Sequence, residues 1–147
     1  MNMQLDAMDG KILDLLQADA RVSLADIGRR IHLSQPAVAE RVRRMEAAKV
    51  IRGYHADIDP AALGYGLAAF VRVARRNDDT PLEQVAAQLP EVVECHSITG
   101  DDCGVVKVLA PSVARLEKVI AELTRCGVTS TSLILSSAIE RKALKPA

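Results

Sequence analysis

Arg41, Arg43 and Arg44 are the side chains with most to offer chemically, and they crowd into one stretch, SQPAVAERVRRMEAA (34–48). A guanidinium can hold a phosphate or fork onto the O6/N7 edge of guanine. Ser34 can cap a helix there, and Pro36 is tolerated because first-turn N–H groups have no intrahelical partner. Val38, Val42 and Met45 recur at i, i+4 and i+7 on one stripe, while Pro36, Glu40, Arg43 and Arg44 fall on the opposite side. Small residues at the start of such a helix permit close approach to a major groove, and the long side chains behind can reach base edges and phosphates. The alternative is that the three arginines only solvate the outside of an ordinary amphipathic helix.

A second grouping is Cys95-His96 with Cys103 across an expected hairpin, readable as a thiol–histidine pair or an incomplete metal site. Metal sites usually show four ligands in paired short spacings, and a cysteine on an apolar strand is more often an inert core residue. His32 ends a helix and His55 sits in a linker. No nucleophile, base and orienter come together, so no enzyme activity, metal or cofactor is expected.

The elements that must position the arginines begin with the segment just before them. In SLADIGRRIHL (23–33), Ser23 followed by Asp26 is a capping-box variant, and Leu24, Ile27 and Ile31 form a helical stripe ending at a short turn into Ser34. Two short helices joined by about three residues, the second basic outside, make a helix-turn-helix pattern. Ahead of them, Asp6 to Gln17 reads as a helix capped by Asp6, with Met8, Ile12, Leu15 and Leu16 inward. Such a three-helix cluster is small and marginal alone. Val50 to Ile58 has extended character and predicts a strand or linker; Asp59-Pro60 marks a boundary.

From Leu67 the period changes. Leu67 to Arg75 alternates as a strand, and Thr80, Pro81 and Glu83 then open a helix with Leu82, Val85, Ala86 and Leu89 inward. Glu91 to Thr99 and Cys103 to Ala110 read as strands about a Gly100-Asp101-Asp102 turn. Ser112 caps a helix with Val113, Leu116, Val119, Ile120 and Leu123 inward, and Thr129 to Ile139 is a last strand. The fold class is therefore α+β: an N-terminal helix-turn-helix domain (1–52), a linker strand (53–66) and a C-terminal βαββαβ ferredoxin-like domain (67–147). Its sheet is antiparallel with both helices on one face. Strand residues are apolar on both alternations (Val105 and Leu109, Val106 and Val108, Leu133 to Leu135), so the second face should be buried against another subunit.

The formal charge is zero, 19 basic residues against 19 acidic, which excludes a general polyanion binder. Between Arg29 and Arg52, however, seven basic residues face two acidic ones, and that is where the electrostatic footprint lies. No apolar run approaches the roughly 20 residues that span a bilayer, and MNMQLDAMDG is no signal segment, so a cytoplasmic protein without membrane partners is expected. Three cysteines, an odd count, suit a reducing compartment.

The segments LSQPAVAERVRRMEAAKVI (33–51), ITGDDCGVVKV (98–108) and GVTSTSLILS (127–136), in that order and spacing, resemble the Lrp/AsnC, or feast/famine, family of transcription regulators. The resemblance covers nearly the whole chain. It implies sequence-specific binding to double-stranded DNA, dimers formed through the C-terminal sheet and assembled into tetramers or octamers, and a small-molecule effector, usually an amino acid, held between subunits. On the DNA side, Gln35, Glu40, Arg41 and Arg44 are the residues expected nearest base edges. Ser34, Arg43, Arg52 and the helix start at Ser23 are expected at phosphates. The stem of Arg41 lies beside the Val38/Val42 stripe and could pack rather than read.

For the effector, the resemblance points to Gly100, Asp101, Asp102 and Cys103 together with Thr129 and Thr131. The two carboxylates could neutralise an ammonium group, and the hydroxyls could receive a carboxylate; taken alone, Asp-Asp after Gly is a plain solvated turn. Many members carry an acid followed by an aromatic where this chain has Cys103-Gly104, so the usual ammonium partner and aromatic lid are absent. Two other readings share the pattern. RNA-recognition modules of βαββαβ order stack bases on aromatics of their central strands, and DCGVVKVLA has none. A free-standing metabolite sensor would leave Arg41 to Arg44 idle.

Overall fold

The computed structural model describes residues 3–74 and 80–145. Backbone proximity divides the chain into two compact units: residues up to Asp57 together with the segment from Ile139, and Ile58–Ala138. By backbone proximity the segment from Ile139, within the stretch 67–147, groups with the first unit.

The first unit holds three helices, α1 (Ala7–Ala18), α2 (Leu24–Ile31) and α3 (Gln35–Ala47). Each starts at a polar residue whose side chain accepts a first-turn N–H: Asp6, Ser23 and Ser34. The expected apolar stripes meet, and Ile12, Ile27, Ile31, Val38, Val42 and Met45 form one buried core. The turn between α2 and α3 is tight enough to demand glycine at 28, where a Cβ would stand 2.5 Å from the Leu33 carbonyl oxygen. His32 completes that turn with left-handed backbone. The capping box foreseen for Ser23 and Asp26 is not reciprocal: Asp26 accepts from the Ser23 hydroxyl at 2.6 Å instead of from its backbone N–H. The full box lies at α1, between Asp6 and Asp9.

Beyond α3 the chain runs without helix or strand to Asp59, so the linker alternative describes Gly53 to Asp59 better than a strand does. Asp59 caps a single 3₁₀ turn, Pro60–Leu63.

The second unit contains β1 (Leu67–Ala74), α4 (Leu82–Ala86), β2 (Val92–Ser97), β3 (Gly104–Ala110), α5 (Val113–Leu123) and β4 (Val128–Leu133). The sheet order is β2-β3-β1-β4 with every pairing antiparallel, the βαββαβ arrangement expected. Alternation sets the two faces. Ala69, Val71 and Val73 of β1 and Val106, Val108 and Ala110 of β3 are buried with Leu82, Val85 and Ala86 of α4 and Leu116, Val119 and Leu123 of α5.

Several expected details differ. Thr80 does not cap α4; its N–H donates to the Arg125 carbonyl, and the five-residue helix has no side-chain cap. Val113, at the first helical position, stays 61% exposed, so the inward stripe begins a turn later at Leu116. β4 stops at Leu133 rather than Ile139: among the described residues it pairs with β1, and after the Ile134 N–H meets the Ala68 carbonyl that strand has run out. Arg75, foreseen as the end of the first strand, lies outside the described residues.

Candidate functional site

The outward side of α3 is the first candidate surface. Gln35, Glu40, Arg43 and Arg44 are exposed, as are Ser23, Ser34 and Arg52. Both serines already serve their helices: the Ser23 hydroxyl accepts from the Asp26 N–H at 3.0 Å, and that of Ser34 from the Ala37 N–H at 3.4 Å. Arg43 pairs with Glu40 and Arg29 with Asp26, each one turn apart. Arg44 and Arg52 have no ion-pair partner among the described residues, and neither do Arg30 and Lys49.

Arg41 is placed differently from its neighbours. Its Nη1 donates to Asp6 Oδ2 and to Asp9 Oδ1, both at 2.7 Å, and its side chain is only a quarter exposed. Asp9 is buried, and its other oxygen accepts from the Asp6 N–H at 3.1 Å. The backbone N–H of Asp9 and then Arg41 hold the Asp6 carboxyl below its ordinary value, while the two carboxylates push the Arg41 guanidinium upward. Arg41 therefore ties the start of α1 to the middle of α3, and the base-edge position expected for it is corrected to this inner one. The signal was present in spacing: Arg41 is three residues after Val38 and four before Met45, both fully buried, and such positions share a helix face. Asp9 escaped notice because an acid at the third helical position usually faces water.

Tyr54, in the segment after α3, donates its hydroxyl to Glu46 Oε1 at 2.9 Å. Burial first, and then that carboxylate, push its pKa up to about 12. The linker therefore starts out fastened to α3.

In the second unit the residues foreseen for an effector do not form one cluster. Gly100 adopts φ +113° with open space around it. Asp101 is exposed, and Cys103 is bound to β1, its N–H and its thiol reaching the Val73 carbonyl at 2.8 and 3.2 Å. Thr129 and Thr131 lie opposite Val73 and Val71, on the helix-facing side. Their neighbours Ser130 and Ser132 lie opposite Arg72 and Phe70, on the other face. There Arg72 Nε stands 3.9 Å from Asp102 Oδ2, and Arg72 Nη2 donates to Ser130 Oγ at 3.4 Å. The structure thus brings Asp102 together with Arg72, which sequence reasoning missed, and with Ser130, which lies within the expected strand start 129–132 between the named Thr129 and Thr131. Their grouping depends on cross-strand register, although Arg72 is the one charge in the strand LAAFVRVA. At Gly104 a Cβ would meet Leu82 Cδ2 at 2.5 Å, so Leu82 fills the room a larger residue would need.

Cys95 and His96 do not work as a pair. Burial pushes the Cys95 thiol up, away from thiolate character, and His96 turns to Glu94, which also accepts from Lys107 at 3.1 Å. No group of metal-ligating residues occurs among the described residues.

A three-helix unit exposing a basic face and a ferredoxin-like unit following it in the chain define a two-part regulator, and comparison with known families agrees: an AsnC-type helix-turn-helix domain matches residues 5–46 and an Lrp/AsnC ligand binding domain residues 68–144. The chain belongs to the Lrp/AsnC family of transcriptional regulators. It is 33% identical over 135 residues to the HTH-type transcriptional regulator LrpC of Bacillus subtilis, covering 91% of this chain and 94% of that one. To LrpA of Mycobacterium tuberculosis it is 35% identical over 138 residues, 92% of each. The solved structure of B. subtilis LrpC superposes with a TM-score of 0.88 at 31% identity, covering 95% of this chain and all of that one. A feast or famine regulatory protein from M. tuberculosis complexed with L-methionine does so with a TM-score of 0.89 at 31% identity, covering 97% of this chain and all of that one. Both of these sequence relatives are named as HTH-type transcriptional regulators. Among the described residues no helix is long and apolar enough to cross a membrane.

Proposed function

We propose that the chain binds double-stranded DNA in the cytoplasm as a sequence-specific regulator, with α3 in the major groove and an amino acid tuning the interaction. The observation that carries this reading is the division of labour on α3. Val38, Val42 and Met45 are spent on the core and Arg41 on the clamp, which leaves Gln35 and Arg44 outward and uncommitted. In this reading Gln35, Glu40 and Arg44 meet base edges. Ser34, Arg43, Arg52 and the start of α2 at Ser23 meet phosphates. A duplex phosphate near Arg43 would draw it from Glu40 and free that carboxylate to accept from cytosine N4.

The working unit is a homodimer or larger, tetramer or octamer. On the sheet face away from the helices, Phe70 is 41% exposed; it pairs with Lys107 and is flanked diagonally by the half-exposed Val105 and Leu109, a surface that a second copy would cover. The effector reading rests on Asp102, Arg72 and Ser130, which together offer an anion for an ammonium group and a cation and a hydroxyl for a carboxylate. Gly100, Asp101 and Cys103 belong to the turn that carries Asp102, while Thr129 and Thr131 face the helices and take no part in this group. A related protein's complex with L-methionine supports the ligand class. A gel shift on the chain's own upstream duplex, repeated across the common amino acids, tests both parts. Retardation that no unrelated duplex reproduces is expected, and indifference to every duplex would sink the proposal.

A further inference from the structure

The C-terminal segment, whose residues up to 144 fall within the matched ligand binding domain, is held by a contact of its own. The Gln17 side chain, in the last turn of α1, grips the backbone of Leu144 twice: its Nε2 donates to the Leu144 carbonyl and its Oε1 accepts from the Leu144 N–H, both at 2.8 Å. A paired amide grip of this kind fixes the backbone while leaving the neighbouring side chains outside, and residues 139–145 are all exposed. These residues belong to the helix-turn-helix unit in space, although the whole of the other unit intervenes in sequence.

Their charge is what makes the placement informative. From Met1 to Asp57 there are nine basic and eight acidic residues, a net charge of +1. Three of those nine, Arg29, Arg41 and Arg43, are already paired within the unit. The docked segment adds Arg141, Lys142 and Lys145 against Glu140, which raises the unit to +3. None of the three added cations has an ion-pair partner among the described residues. The remaining unit, Ile58–Ala138, has a net charge of −3, so the segment brings its charge to the unit that must meet a polyanion. The grip also lies at the end of α1 that leads through a short turn into Ser23 and α2, where phosphate binding is proposed.

We infer that residues 139–145 form a basic arm of the DNA-binding unit, anchored through Gln17 and reaching phosphates through Arg141, Lys142 and Lys145. The inference rests on the proposed DNA binding. Its physics is counterion release: each phosphate neutralised steepens the fall of log affinity with log salt by about 0.9 and carries no base preference.

The test is a salt series on the full chain with two duplexes, its own upstream region and a scrambled sequence of equal length. The variant Arg141→Gln/Lys142→Gln/Lys145→Gln should flatten the slope by about 0.9 for each phosphate no longer neutralised, up to about 2.7, equally on both duplexes. Gln17→Ala, which keeps the charge and removes the anchor, should flatten it by part of that amount. A slope changed by less than about 0.4 in the triple variant, or tighter binding by it, overturns the arm. A triple variant that flattens the slope while Gln17→Ala keeps the wild-type value overturns the anchoring. A wild-type chain that binds neither duplex defeats the DNA-binding proposal itself and the arm with it, a result distinct from binding whose slope the arm does not alter.

Discussion

Breaking the clamp between Asp9 and Arg41 should cost stability in a way that separates a positioning arginine from a base-reading one. Asp9 has a side chain 2% exposed and two hydrogen bonds, one from Arg41 Nη1 and one from the Asp6 N–H. Arg41→Met would strand that carboxylate in the core with only the backbone donor. Removing one partner of a buried ion pair costs about 3 to 5 kcal/mol, and because Arg41 is a quarter exposed and one donor survives, a discounted loss of roughly 2 to 3 kcal/mol is expected. Asp9→Leu should cost less, about 1 to 2 kcal/mol, because Arg41 can still reach water and Asp6. In the double variant no charge is stranded, so the two losses should overlap by about 1 kcal/mol or more. The assay is thermal unfolding followed by circular dichroism, on wild type, both single variants and the double. Losses that add to within about 0.3 kcal/mol would refute the clamp, since independent sites behave that way.

Arg44→Ala, in contrast, should leave the unfolding midpoint within error and lower affinity for the target duplex by roughly 1 to 3 kcal/mol while relaxing one base position; equal loss on random DNA would make Arg44 a backbone-binding residue. Phe70→Asp should weaken self-association by roughly 10-fold or more, as befits removal of an aromatic side chain whose burial is worth about 1.5 to 3 kcal/mol, read by light scattering across dilution. Self-association unchanged by that substitution would place the subunit interface elsewhere. The hydrogen bond from Arg115 holds the Glu91 carboxyl below its ordinary value of 4.5 against the opposing effect of burial. A lowered folded pKa contributes stability that is present above the unfolded value and lost as pH falls through the folded one. Melting temperature should therefore drop below about pH 4.5, and less steeply in Glu91→Gln than in wild type; identical profiles would remove Glu91 from the account.

The elements were legible because their signals are local. Capping residues at 6, 23, 34 and 112 and stripes such as Val38/Val42/Met45 need only neighbours within a turn, and all of them start or face the core as expected. The alternation of β1 and β3 likewise told which face is buried. Features that depend on distant partners were harder. The meeting of Arg72, Asp102 and Ser130 requires knowing which residues lie across from one another in a four-stranded sheet. Arg41 lies more than thirty residues beyond both Asp6 and Asp9. The return of Leu144 to Gln17 spans 127 residues and has no hydrophobic signature, being made by one side-chain amide and a backbone. Thr129 and Thr131 were foreseen beside the aspartates, but strand alternation turns them to the opposite face from Ser130.

The central proposal is that the outward side of α3, presented in duplicate, reads duplex DNA. Hydroxyl-radical footprinting on the upstream region measures that most directly. Two protected half-sites related by a dyad, with centres one helical turn or a multiple apart, are expected. Uniform reactivity along the duplex at protein concentrations that saturate a gel shift, or a single unpaired protected patch, would contradict it.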